Sequence, residues 1–240
     1  MKNYELYARK YPAIVGMLLP ALLTISLITD NMPQFQDTFD NLLCKLGVYV
    51  PVVAIYGAFG YFMRSLFRDA SKHLFQFPLF KEDETEMPTT QLLLRNGKRR
   101  LSNSMINQIA SKVENDFGIR LLSASKERQN PLEAKRTIVD AVGKIRECTR
   151  KNPNLLQYNI EFGFCRNYLG ATVYALAIMI IILGINLIFD NGDWQYTLFA
   201  LIVQLIFGVI VFLTLKTKGY AYGRALFNAY LSGSEYEWGE

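Results

Sequence analysis

The sequence predicts an all-α membrane protein, with four transmembrane helices in a 2+2 layout around a mainly helical cytoplasmic insert. Four long apolar runs, Tyr11–Ile28, Leu42–Met63, Ala171–Phe189 and Trp194–Leu215, fall into two pairs, and the last two runs contain no charged residue. Between the pairs lie the 103 residues of Arg64–Arg166, which hold 19 Lys+Arg against 12 Asp+Glu although the whole chain is only +5. No segment shows the strong two-residue alternation of a half-buried strand. The expected divisions are an N-terminal transmembrane hairpin over 1–63, a cytoplasmic helical domain over 64–166, a C-terminal transmembrane hairpin over 167–218 and a cytoplasmic tail over 219–240. A stretch of about a hundred residues is enough for one small globular domain.

The charge pattern orients the chain. Lys2, Arg9 and Lys10 precede the first run, the basic block follows the second, and Lys216, Lys218 and Arg224 follow the fourth. The short loops Thr29–Asn41 and Asp190–Asp193 carry only acidic charge, so both termini and the insert are expected on the cytoplasmic side of the membrane. The first run ends in Ser26-Leu27-Ile28-Thr29-Asp30 without the small-residue pair of a signal-peptidase site, which favours an uncleaved anchor. The cysteines Cys44, Cys148 and Cys165 are an odd set and read as apolar fillers.

In chain order, Pro12 and Pro20 are expected to start and kink the first span. The second carries Lys45 near its outer end, while Ala54, Gly57, Ala58 and Gly60 suit close helix packing. Beyond Met63 the spacing of Arg64, Arg68 and Lys72 predicts that the helix continues, ending by Pro78. Lys81–Glu86 reads as a solvated acidic linker. Met87–Leu94 reads as a short threonine-capped helix stopped at Asn96-Gly97, or else that dipeptide makes a hairpin turn. Ser102–Phe117 is amphipathic and is stopped by Gly118; Asn130-Pro131-Leu132-Glu133 opens another helix, with Ala134, Ile138, Ala141, Val142, Ile145 and Cys148 inward and Pro153 at its end. Asn154–Tyr168, rich in Phe and Tyr, leads into the third span at headgroup depth.

Several chemistries are disfavoured. His73 is the only histidine, which rules out a multi-histidine metal site and leaves a solvated stalk residue as the simplest reading. No Cys-x-x-Cys pair exists, and Gly97-Lys98 lacks the remaining residues of a phosphate-cradling loop. Neither an enzyme nor a cofactor or metal site is expected.

The positive candidate is Arg95, Lys98, Arg99 and Arg100, four cations within six residues. Such a cluster attracts phosphate, whether of a soluble ligand or of anionic lipid headgroups. Arg146 and Arg150 flank the apolar side of their helix and are candidates for the same ligand. Arg136, Asp140, Lys144, Glu147 and Lys151 alternate in sign along one face and neutralise each other. Arg166 and Asn167, at the mouth of the third span, are candidates for snorkelling or for coupling insert to membrane. Within the spans, Gln204 sits near the midplane and Asn186 near the outer end, out of axial register by roughly 9 Å. Gln204 therefore needs a partner on another helix or subunit, or water in a pore.

Pro88-Thr89-Thr90 followed by Leu93-Leu94-Arg95, and downstream Phe162-Gly163-Phe164-Cys165-Arg166-Asn167-Tyr168-Leu169-Gly170 leading into a membrane hairpin, resemble bacterial membrane proteins with a two-plus-two layout. In size and layout the chain is similar to membrane effectors of Hailong-type anti-phage defence. That resemblance implies a homo-oligomeric, tetrameric ion channel held closed by a short deoxyadenylate oligomer from a partner nucleotidyltransferase, and opened when infection removes the ligand. It transfers no ligand residue. The competing readings are a non-conducting membrane scaffold that recruits a cytoplasmic partner and, with least support, a membrane-embedded lipid-modifying enzyme.

Overall fold

The computed structural model describes residues 2–31, 62–189 and 194–233, and among them it is all helical, with no strand. Most of the second apolar run, residues 32–41 of the first short loop and the whole of the second loop lie outside the described residues, as do Cys44 and Lys45; Thr29, Asp30 and Asn31, expected in the loop, instead extend the first helix. We number the helices α1 (Lys2–Glu5), α2 (Tyr11–Asn31), α3 (62–71), α4 (Phe77–Phe80), α5 (Pro88–Leu93), α6 (Asn103–Phe117), α7 (Ala124–Gln129), α8 (Pro131–Cys148), α9 (Pro153–Ile188) and α10 (Trp194–Ser232). Wider π turns at Leu6–Lys10 and Lys72–Gln76 join α1 to α2 and α3 to α4.

The chain forms two compact units. One comprises Met1–Leu74 with Phe164–Phe212, the other Phe75–Gly163 with Leu213–Glu240. The basic stalk residues from Arg64 to Lys72 thus belong with the apolar helices rather than with the insert. The expected separate tail is instead the end of α10, which runs unbroken to Ser232 and belongs to the second unit.

In the first unit α9 and α10 are long and apolar enough to cross a membrane. Their apolar windows are only 33% and 17% buried, against the mostly buried core helix of a water-soluble domain, which suggests membrane association. Along α10 the buried stripe is Thr197, Ala200 and Gln204, while Phe199, Ile206, Phe207 and Leu213 lie open. A continuous apolar face of that width calls for lipid or protein cover. Small residues bring the helices together: a Cβ on Gly16 of α2 would stand 2.6 Å from Ala171 Cβ, and one on Gly170 would stand 1.9 Å from the Phe67 carbonyl oxygen. Side chains therefore cannot separate α9 from α2 or α3 at these points.

In the second unit α5, α6, α8, the start of α9 and the end of α10 share one core, which includes Leu92, Ile109, Val113, Ile138, Ile145 and Phe227. The amphipathic patterns account for it. Ser102 caps α6 by accepting from the Met105 N–H at 3.2 Å, and Gly118 ends it in the left-handed region at φ 68°.

Several local expectations need correction. Pro78 does not stop the stalk; it sits in the first turn of α4, where its missing N–H costs nothing, and the stop comes at Lys81. No threonine caps α5, because Thr89 and Thr90 lie buried inside the helix and Thr90 Oγ1 donates to the Glu84 carbonyl at 3.0 Å. Pro153 begins α9 as well as following α8, with Asn152 Oδ1 accepting from the N–H groups of Asn154 and Leu155. The Lys81–Glu86 turn is more than a wet linker. Glu84 pairs with Arg146 at 2.7 Å, and Glu86 pairs with Lys135 and accepts from Gln91.

Candidate functional site

The cations of the insert separate into two sets. Lys98, Arg99 and Arg100, on the loop between α5 and α6, line an open cleft of about 540 Å³ whose other wall is α10. That wall consists of Thr217, Tyr220, Ala221 and Arg224, which recur every three or four residues and so share one helix face. Among the described residues, four cations and no carboxylate line the cleft. The Arg99 guanidinium lies over the Tyr220 ring, 5.1 Å from its centroid, an arrangement that orients the planar group and leaves its edge N–H groups for an acceptor. Burial holds the Tyr220 phenol above its usual pKa, against the opposing pull of Arg99.

The loop is held from behind. Glu127 of α7, buried at 6% exposure, accepts from the backbone N–H of Arg95 through one carboxylate oxygen and from that of Asn96 through the other, both at 2.8 Å. Arg95 itself turns away from the cleft and donates to the Leu122 carbonyl and to Asn107 Oδ1. It is a brace for the loop. Arg100 donates to the Arg95 carbonyl at 2.9 Å and also to Asn103 Oδ1. On the opposite side, α5 rests on a Gly219-x-x-x-Gly223 face of α10: a Cβ at Gly219 would meet Pro88 Cγ at 2.8 Å, and one at Gly223 would meet Leu92 Cδ1 at 2.7 Å.

The remaining candidates lie elsewhere. Arg146 is committed to Glu84, and Arg150 is exposed in the turn after α8; neither lines the cleft. Asn167 is buried and donates to the Ala8 carbonyl at 2.6 Å, which ties the N-terminal π turn to α9. Arg166 beside it is half-buried. Gln204, 2% exposed, donates to the Gly16 carbonyl at 3.4 Å and to Thr172 Oγ1 at 3.3 Å, and so bridges α10 to α2 and α9. Asn186 donates to Thr197 Oγ1 at 3.1 Å. Both amides thus bond helix to helix.

Tyr220, Arg224 and Glu127 do not stand out in the sequence as site residues. Lys216, Lys218 and Arg224 are informative there only as an orientation signal; the spacing of Thr217, Tyr220 and Arg224 becomes a signal once α10 is known to continue. Glu127 carries no local mark, because its role depends on a contact with a loop about thirty residues earlier.

Among the described residues, no group of three or more His, Cys, Asp or Glu side chains is arranged to hold a metal ion. The chain matches no family model, no curated protein and no solved structure.

Proposed function

We propose that the chain is an oligomeric membrane effector, a ligand-gated ion channel controlled by an anionic oligonucleotide at the cleft of the basic unit and acting in bacterial anti-phage defence. In this reading all four apolar runs cross the inner membrane, and the termini and basic unit face the cytoplasm. One observation carries it: the cleft's second wall, Tyr220 to Arg224, belongs to the same unbroken helix as the apolar stretch from Trp194 to Leu215. An anion gripped between that wall and the Lys98–Arg100 loop acts directly on a transmembrane segment. Gating follows if the ligand binds the closed and open assemblies unequally, and a swing from mostly closed to mostly open needs roughly 5 kcal/mol of difference. Contacts repeated in each subunit of a homo-oligomer supply that sum. The resemblance to Hailong-type effectors supports a deoxyadenylate oligomer as ligand and a nucleotidyltransferase as the partner that makes it.

The test is titration of purified protein in detergent with a labelled short deoxyadenylate oligomer, paired with ion flux from liposomes. Lys98→Gln/Arg99→Gln/Arg100→Gln should weaken binding and flatten its salt dependence. Wild-type affinity in that variant would refute the site, and no flux at any ligand concentration would refute the channel. The second reading, a non-conducting scaffold, draws on a shallow, largely uncharged groove lined by Ser104, Gln108, Ser111, Asn115 and Leu231 together with Lys112. Flux separates the two.

A further inference from the structure

A second set of cations lies in the first unit, apart from the cleft. Two contacts assemble it. The Asn167 bond to the Ala8 carbonyl sets Arg9 beside Arg166, and the approach of Gly170 to Phe67 and Ser71 sets Arg68 and Lys72 at the same level of α9. Glu5 is used up by Arg64, which fastens the N-terminal segment to α3. Asp69 is the one further carboxylate acting on Lys72 among the described residues, and it is exposed, whereas Arg9, Arg68, Lys72 and Arg166 are all half-buried.

The local electrostatics are unfavourable as they stand. The Lys72 ammonium is held below the usual lysine range, first by burial and then by the positive charges of Arg68, Arg166 and Arg9. Arg9 Nε is buried with no hydrogen-bond acceptor among the described residues, its guanidinium stacked on Tyr4 at 5.6 Å. An anion beside Lys72 and Arg9 would offset this repulsion and give Arg9 Nε the acceptor it lacks among the described residues.

Depth and surroundings narrow the anion. Arg9 lies two residues before the first apolar run, Arg68 five residues after the second and Arg166 five before the third, so each stands within roughly 8 Å of a span end at 1.5 Å per residue. Exposed apolar groups flank the cluster: Tyr7 and Tyr11, edge to face at 5.1 Å, with Phe62 and Leu74. Aromatic side chains settle at headgroup depth, and acyl chains run along the apolar surface beyond. We propose that Arg9, Arg68, Lys72 and Arg166 form a binding site for the phosphodiester headgroup of an anionic phospholipid. The site rests on the membrane reading above, and it clamps the N-terminal segment, α3 and α9 to the inner leaflet.

The experiment measures thermal stability of the full chain in neutral detergent while short-chain phosphatidylglycerol, short-chain phosphatidylcholine or inorganic phosphate is titrated. Phosphatidylglycerol should stabilise at lower concentration than phosphatidylcholine. Lys72→Gln should weaken its apparent affinity about fivefold, and Arg9→Gln/Lys72→Gln/Arg166→Gln on the order of a hundredfold. Lys72→Arg should retain affinity, and neutralising Lys98, Arg99 and Arg100 should leave it unchanged. Equal affinity in wild type and Lys72→Gln would overturn the site, as would wild-type indifference between the two lipids, a readout that survives even if the triple variant does not fold. Saturation by inorganic phosphate, blocking the lipid, would overturn the lipid assignment in favour of a soluble anion. Alkaline carbonate extraction of membranes separates the levels of failure: a chain released by carbonate defeats the membrane reading, whereas one retained but without lipid preference defeats only this site.

Discussion

Gly170→Ala is the sharpest test of how the first unit is packed. A methyl group there would stand 1.9 Å from the Phe67 carbonyl oxygen and 2.8 Å from its carbon. Ordinary contact needs the two backbones to part by about 1.5 Å, because no side-chain rotation moves a carbonyl. Overpacking of a well-packed interior costs roughly 1–3 kcal/mol, and a backbone clash belongs at the upper end. About 3 kcal/mol in a chain of this size corresponds to a fall in Tm of roughly 6–12 °C. The assay is thermal unfolding in detergent, followed by tryptophan fluorescence. Gly184→Ala, in the same helix, is the matched control: nothing among the described residues lies within 4 Å of its Cβ, so the better helix propensity of alanine should leave Tm unchanged or raised. If the two variants melt together, the backbone contact between α3 and α9 does not exist, and the convergence of Lys72 with Arg166 loses its basis.

Three further outcomes follow from the second unit. Glu127→Ala should cost about 3 kcal/mol, since two backbone N–H groups lose a charged acceptor, and should loosen the Lys98–Arg100 loop, read as faster amide exchange at Arg95 and Asn96. Gly223→Ala should cost about 1 kcal/mol net in a thermal melt, the push on Leu92 being partly offset by helix propensity, and Gly219→Ala/Gly223→Ala together should cost more and weaken anion binding by displacing α5. The hydrogen bond from Lys218, 2.6 Å away, holds the Glu161 carboxyl below its ordinary pKa. That contribution is present above the unfolded value of 4.5 and is lost as pH falls through the lower folded value. Both side chains are more than a third exposed, so it amounts to less than about 1 kcal/mol, and Glu161→Gln should flatten the pH dependence of Tm in that acidic window.

What was legible in the sequence was whatever depends on near neighbours in the chain. The 3.6-residue stripes of α6 and α8, with Ser102 and Gly118 marking the bounds of α6, are readable because a helix face is a local pattern. The Lys98–Arg100 cluster is readable as dense charge. Arg95 misleads for the same reason: charge density cannot distinguish a cation facing solvent from one folded back onto Leu122 and Asn107. Arg146 shows the other failure, since its partner Glu84 is 62 residues away in a segment whose local composition reads as a wet linker. The end of α10 is hidden by the change from apolar to mixed composition after Leu215. That change marks the point where α10 turns from an exposed apolar surface to core packing, and the helix itself does not break there.

The central claim is that the apolar helices cross the membrane with the basic cleft inside the cell. It is tested most directly by labelling intact cells with a membrane-impermeant maleimide, using a chain in which Cys44, Cys148 and Cys165 are replaced by serine and a single new cysteine is introduced. Arg99→Cys should react only after the membrane is permeabilised, while Asn191→Cys, in the short loop between the third and fourth apolar runs, should react in intact cells. Labelling of Arg99→Cys in intact cells would contradict the orientation, and with it the account of a cytoplasmic ligand acting through α10.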